Sequence, residues 1–261
     1  TGCALLVGSL VALPWSRFQW QHALVPARTL LLGIYGLFGF HFLLFLALRT
    51  APAVEANLVN YLWPLLIVVL APVFHKGTRL HWRQVLAALA GFSGAVWVIT
   101  GGQVIDLQIN VGYLAALGSA FIWATYSLMT QRVPAFHTVA IGSFGLVSGV
   151  LSLACHFALE TPVTISNQDS LLLIWMGLGP LGLAFYLWDA ALKNGRAQQI
   201  GLLSFLTPLG STILLLLDRQ EALTPTVAWA ALLIVGGAWL GRTVSTEAAN
   251  DPYFEKPTQS D

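Results

Sequence analysis

Between Asn57 and Pro64 lie groups that hydrocarbon rejects, inside a stretch apolar enough to cross a bilayer: "VEANLVNYLWPLLIVVLAP", residues Val54 to Pro72. Asn57, Asn60, Tyr61 and Pro64 follow i, i+3, i+4, i+7 spacing, which puts them on one face of a helix. Pro64 has no N–H and cannot close a bond to the carbonyl of Asn60, so the helix is expected to kink there with a freed carbonyl. Polar groups and free carbonyls at such depth face a bundle interior or a wet cavity. The chemistry these residues offer is binding. Asn57 and Asn60 suit the amino and carboxylate ends of a small solute, and a freed carbonyl suits an ammonium group. The same amides also suit plain helix–helix hydrogen bonds.

Other stretches carry compatible groups. Ser119, Trp123, Tyr126 and Thr130 form a stripe on one span, with Ser127 beside it. His41 stands in an otherwise apolar run, and Phe185, Tyr186 and Trp188 cluster on another. Trp63 and Trp123 lie deeper than ordinary interface anchors, the role expected of Trp15, Trp20, Trp82 and Trp229. Pro208 would free the carbonyl of Ser204, making a second kink. The candidate substrate-binding residues are therefore His41, Asn57, Asn60, Tyr61, Trp63, Trp123, Tyr126, Tyr186 and Ser204, with Pro64 and Pro208 as kinks. His41, Glu55 and Asp189 are the ionisable groups that could couple transport to protons. Asp189 also precedes Lys193 by one turn and can pair with it, while Glu55 suits a helix N-terminus near Arg49.

No HExxH or GxSxG motif occurs, so catalysis, a metal and a cofactor are not expected. Cys3 and Cys155 fall in apolar runs and read as packing residues. A net charge of +1 gives no reason to expect nucleic acid.

The elements that hold these residues follow from composition. The 261 residues are 57% hydrophobic and 9% charged, against about 25% charged in a soluble domain. Apolar blocks of about 20 residues, the length that crosses hydrocarbon, recur at 1–13, 28–48, 53–74, 82–101, 110–131, 138–158, 170–192, 198–217 and 226–243. Pro and Gly punctuate the joins between them. This is an all-α polytopic membrane chain, with small-residue stripes for close packing at Gly142, Gly145, Gly149 and Ser152 and at Gly91, Gly94 and Ala95. Ten Lys and Arg fall in alternate joins and only Arg49 and Arg219 in the others. That asymmetry predicts a cytoplasmic C-terminus. The tail, 245–261, is expected to be polar, cytoplasmic and disordered.

A shift of 144 positions partly matches the chain to itself. Gly33 falls on Gly177, Ala53 on Ala197, Tyr61 on Phe205 and Pro64-Leu65 on Pro208-Leu209. With one gap, Gly94-Ala95 meets Gly237-Ala238. The reading is two inverted-topology five-helix repeats, ten helices in all with about nine present: 1–105, lacking its first helix, and 106–244. Inverted repeats of this kind mark secondary transporters, with the substrate near the midplane.

"LALRTAPAVEANLVNYLWPLL" (46–66), "ALGSAFIWATYSLMTQR" (116–132) and "AFYLWDAALKNGRAQQIGLLSFLTPLGSTILLL" (184–216) resemble EamA-type transporters of the drug/metabolite transporter superfamily. "NYLWP" in particular resembles the YddG-type aromatic amino acid exporters. The resemblance implies ten helices, a central cavity opened alternately, export of aromatic or apolar amino acids, and the bacterial inner membrane as location. The partners expected are a small-molecule substrate and the lipid bilayer. Export of drugs or polar amino acids is the alternative within this class, and a membrane enzyme or a non-transporting scaffold the alternative outside it.

Overall fold

The computed structural model describes residues 1–11, 13–14, 20–75, 78–103, 110–161 and 165–249, with side chains to Gly241. The loop residues Arg17, Lys76, Asp106 and Pro162, the anchor Trp15 and the last twelve tail residues, 250–261, lie outside the described residues.

Nine long or apolar helical runs occur among the described residues, besides a short 3-10 turn at Trp20–Ala23. They are α1 (Gly2–Ser9), α2 (Ala27–Thr50), α3 (Ala53–Phe74), α4 (Trp82–Thr100), α5 (Gly112–Met129), α6 (Thr138–Leu159), α7 (Asn167–Asn194), α8 (Ala197–Asp218) and α9 (Pro225–Ala249). They fall on the nine apolar blocks. Six of them, α2, α3, α4, α6, α7 and α8, are long and apolar enough to cross a membrane, and α9 holds a shorter apolar stretch, Pro225–Gly241. The chain is a multi-pass membrane protein. Helix α9 continues to Ala249, past the expected start of the tail at Ser245. "RTVSTEAA" (242–249) holds no Pro or Gly to stop it.

Two compact units form, each from two separate stretches of chain. The first comprises Thr1–Asn60 and Ile109–Arg196, the second Tyr61–Gln108 and Ala197–Asp261.

In the first unit α5 is the central helix, with ten of its 18 residues buried, among them Ser119, Trp123, Tyr126 and Ser127. Its polar groups are thereby kept from lipid. Helix α1 lies against α6 and α7, and the expected glycine stripe makes this possible. A Cβ added to Gly142 would lie 2.6 Å from the Ser9 carbonyl oxygen, and one on Gly149 3.1 Å from that of Gly2. Only glycine allows helix backbones this close.

In the second unit α4 and α9 run antiparallel through reciprocal contacts. A Cβ on Gly94 would lie 2.9 Å from the Ala230 carbonyl oxygen, and one on Gly237 2.7 Å from that of Ala87. The same offset of 143 carries Gly94 to Gly237 and Ala87 to Ala230. Reciprocity of this kind is what a two-fold relation produces. Gly91 faces Phe205, which is fully buried in the core of this unit with Ala95, Leu209 and Ile234.

The 144-residue shift also aligns the irregularities of the backbone. Helix α2 contains a π turn at Tyr35–Gly39 and α7 one at Gly179–Leu183, and 35 + 144 = 179. Helix α3 is regular over Ala53–Asn60 and resumes at Trp63, while α8 is regular over Ala197–Ser204 and resumes at Leu206. Each interruption precedes its proline, Pro64 or Pro208, by two or three residues. The cause is local: the proline ring clashes with the carbonyl four residues back and removes the bond that would hold it.

Candidate functional site

The site is built on three helices of the first unit. The π turn in α2 is followed at once by Phe40 and His41. Helix α5 supplies Trp123 and Tyr126, and α7, just past its own π turn, supplies Phe185 and Trp188. Trp123 is the hub. Its ring centroid lies 5.1 Å from Phe40, 5.3 Å from Tyr126, 5.6 Å from Phe185 and 5.9 Å from Trp188, all tilted. His41 meets Phe40 edge-on at 5.0 Å and Phe185 edge-on at 5.7 Å. Tilted and edge-on arrangements suit the ring quadrupoles. Gly36, inside the π turn of α2, leaves room for Tyr126: a Cβ there would fall 2.3 Å from its ring.

Hydrogen bonds fix the rings. The His41 Nδ1–H donates to the Leu37 carbonyl at 2.6 Å. A carbonyl only accepts, so the proton is on Nδ1 and Nε2 is left as an acceptor. The indole N–H of Trp188 donates to Ser127 Oγ at 3.1 Å, and the Ser127 hydroxyl donates to the Trp123 carbonyl at 2.8 Å. The Thr125 hydroxyl donates to the Phe121 carbonyl at 2.7 Å, so Tyr35 donates its own O–H to Thr125, also at 2.7 Å. His41, Trp123, Tyr126 and Ser127 are buried.

Beside the cluster, Asn60 ties the first half of α3 to α5. The Ser119 hydroxyl donates to the Ala116 carbonyl at 2.7 Å and lies 2.8 Å from the Asn60 amide. The Asn60 Oδ1 and the Ala116 carbonyl are thus the two acceptors within reach of the single Ser119 hydroxyl proton. On α7, Asp189 is buried and paired with Lys193.

Of the residues singled out in the sequence, His41, Trp123 and Tyr126 come together, Asn60 on α3 meets Ser119 of α5, one turn before Trp123, and Asn57 is half-buried on the same turn of α3. Tyr186, one residue from Phe185, turns the other way: its hydroxyl lies 3.1 Å from the Ser9 carbonyl oxygen and 3.3 Å from that of Gly8. The Gly8 carbonyl already accepts from the Val11 N–H at 3.2 Å, and the hydroxyl gives the Ser9 carbonyl, at the end of a short helix, a donor. Tyr61, Trp63, Pro64, Ser204 and Pro208 belong to the second unit, where Ser204 donates to the Gly201 carbonyl at 2.5 Å. Phe40 and Phe185 were not among the candidate binding residues, although Phe185 is the 144-shift mate of His41 (41 + 144 = 185).

Comparison with known proteins places the chain. The EamA-like transporter family matches residues 1–100 and 110–242. The aromatic amino acid exporter YddG of Ancylobacter novellus is 39% identical over 241 residues, which cover 91% of this chain and 79% of that protein. The aromatic amino acid exporter YddG of Salmonella typhimurium is 27% identical over 228 residues, 82% of this chain and 77% of the exporter. A protein of known crystal structure superposes with a TM-score of 0.83 at 35% identity, covering 94% of this chain and 87% of its own. With a family match across most of its length and relatives that are exporters, the chain is a transporter and not an enzyme, and it belongs to the EamA-like transporter family.

Proposed function

We propose that the protein exports aromatic amino acids across the bacterial inner membrane by alternating access, with the C-terminus in the cytoplasm. The observation that carries this reading is the Trp123 hub: five tilted or edge-on aromatic rings around and including one buried indole, with no formal charge among them. A substrate ring replaces one of these neighbours at little cost in geometry. The two repeats, 1–105 and 106–244, move as alternates around the substrate. In support, His41 and Phe185 are equivalent under the 144-residue shift and touch each other. Two-fold mates touch only beside their axis, where a repeat transporter holds its substrate. Tyr61, Trp63 and Ser204 are proposed as further binding residues on their chemistry alone, and Pro64 and Pro208 as the breaks that let their helices flex.

The test is initial flux of tryptophan, phenylalanine and threonine in proteoliposomes. Each favourable ring contact adds about 0.5–1.5 kcal/mol beyond buried area. Trp123→Ala should therefore lower tryptophan and phenylalanine flux by about tenfold relative to threonine. Equal losses for all three would mean that Trp123 supports the fold and does not read the ring.

A further inference from the structure

Phe185, Trp188 and Asp189 share one face of α7 by i, i+3, i+4 spacing. The first two touch the Trp123 hub. Asp189 is 2% exposed and stands one helical turn beyond Phe185. Its two carboxylate oxygens differ. Oδ2 accepts from Lys193 Nζ at 2.6 Å. The same ammonium also donates to the Phe136 carbonyl at 2.8 Å and to Thr138 Oγ1 at 3.1 Å, and it lies 4.0 Å from the Phe136 ring centroid. Lys193 has three N–H donors and three acceptors, so it is fully committed. Oδ1 is buried and has no hydrogen-bond partner. A buried acceptor in this state calls for a donor, and on a carboxylate a cationic donor binds most strongly.

We propose that Asp189 Oδ1 receives the ammonium group of the exported amino acid. This rests on the aromatic-export reading and extends it from the side chain to the head group. A rise of 1.5 Å per residue puts Asp189 about 6 Å along the helix from Phe185. From ring centre to ammonium nitrogen an aromatic amino acid reaches about 5 Å, and a charge-assisted hydrogen bond adds about 2.8 Å, so the two together can bridge that span. Lys193 holds the carboxylate in place and leaves its second oxygen to the ligand. Tyr126, on the hub and within electrostatic range of Asp189, flanks the same end of the site. The acid is present in only one half of the repeat, because the 144-shift mate of Asp189 is Phe45 (45 + 144 = 189). A single substrate with a single ammonium needs only one.

Binding of three phenyl compounds to the purified protein, measured by calorimetry, tests this: L-phenylalanine, phenethylamine and 3-phenylpropionate. The wild type should hold the two amines at least about tenfold tighter than the acid lacking an amine, as expected for one charge-assisted hydrogen bond. Asp189→Asn should abolish that preference while 3-phenylpropionate binds as before or better. If Asp189→Asn does not yield folded protein, Asp189→Asn combined with Lys193→Met removes both charges together and should show the same loss. An amine preference that survives in either variant overturns the assignment. Ring binding without amine preference in the wild type overturns the assignment alone, whereas no binding of any phenyl compound overturns the aromatic-export reading with it.

Discussion

Helices α2 and α7 are the same device built twice and given different chemistry. Both carry a π turn at equivalent positions, both place aromatic or imidazole rings just after it, and both end on a cation, Arg49 and Lys193, also equivalent (49 + 144 = 193). A cation in the last turn suits the helix dipole in each case. The partners then diverge. Arg49 pairs with Glu160 at the end of α6, in an exposed setting with side chains 63% and 36% accessible. His156, one turn before Glu160, bonds the same carboxylate. Lys193 pairs within its own helix with Asp189, whose side chain is 2% accessible. The backbone irregularity recurs at positions 144 apart, and among the described residues the buried acid, Asp189, lies on α7 and not on α2.

The sharpest way to break this comparison is to remove the two cations in turn. Lys193→Met leaves the Asp189 carboxylate buried without its counter-ion. Breaking a fully buried pair costs about 3–5 kcal/mol, and because Lys193 is 34% accessible the lower end, about 3 kcal/mol, is expected. Arg49→Met removes one partner of a solvated pair and should leave the thermal midpoint close to that of the wild type. The midpoints of both variants in detergent check this. Similar losses for the two would mean that the pairs are energetically alike despite their different burial.

Glycine substitutions sharpen the comparison at the next level. Gly33 on α2 and Gly177 on α7 are equivalent (33 + 144 = 177), but they face different neighbours. A Cβ on Gly33 would fall 2.1 Å from the Phe144 ring, and one on Gly177 2.6 Å from the Ala4 carbonyl oxygen and from Val7. Both alanine variants should destabilise by about 1–3 kcal/mol, the usual range for overpacking. Gly177→Ala should be the worse of the two, because relief there requires moving the α1 backbone and not only a side chain. Thermal midpoints again decide, and a larger loss for Gly33→Ala would show that the buried Phe144 is the less yielding neighbour.

Much of this was legible in the sequence, for identifiable reasons. Spans are set by apolar length, so the nine blocks became the nine helical runs. Of the glycine stripe, Gly142 and Gly149 pack closely against α1, whereas Gly145 has room for a side-chain carbon at ordinary contact distance. Trp123, Tyr126 and Ser119 read as one stripe because helical spacing is local. The meeting of α2 with α7 is tertiary, so neither the contact between His41 and Phe185 nor the part played by Phe40 could be read from spacing. Tyr186 shows the converse. Its type suited a binding site, but its hydroxyl donates at the end of α1, to the Ser9 carbonyl. The π turns carried no sequence signal beyond Gly36, Gly39, Gly179, Pro180 and Gly182, a composition that ordinary loops share.

The exposed clasp on α2 gives the smallest effect and a distinct signature. The hydrogen bond from His156, with Arg49 beside it, holds the Glu160 carboxyl below its ordinary value of 4.5. A group whose folded value is depressed contributes stability above its unfolded value and loses it as pH falls through the folded one. The clasp should therefore be at full strength at pH 6, weaken below about 4.5 and be lost as the pH falls through the lowered value of Glu160. Thermal midpoints of the wild type and of Glu160→Gln, measured in detergent across that range, should differ slightly at pH 6 and converge as the pH falls below the lowered value. The difference at pH 6 should also shrink in 1 M salt, because the clasp is solvent-exposed and its attraction is screened. Curves that coincide at every pH would show that the Arg49–Glu160 contact adds nothing to stability, and that of the two equivalent cations only Lys193 has a partner that matters.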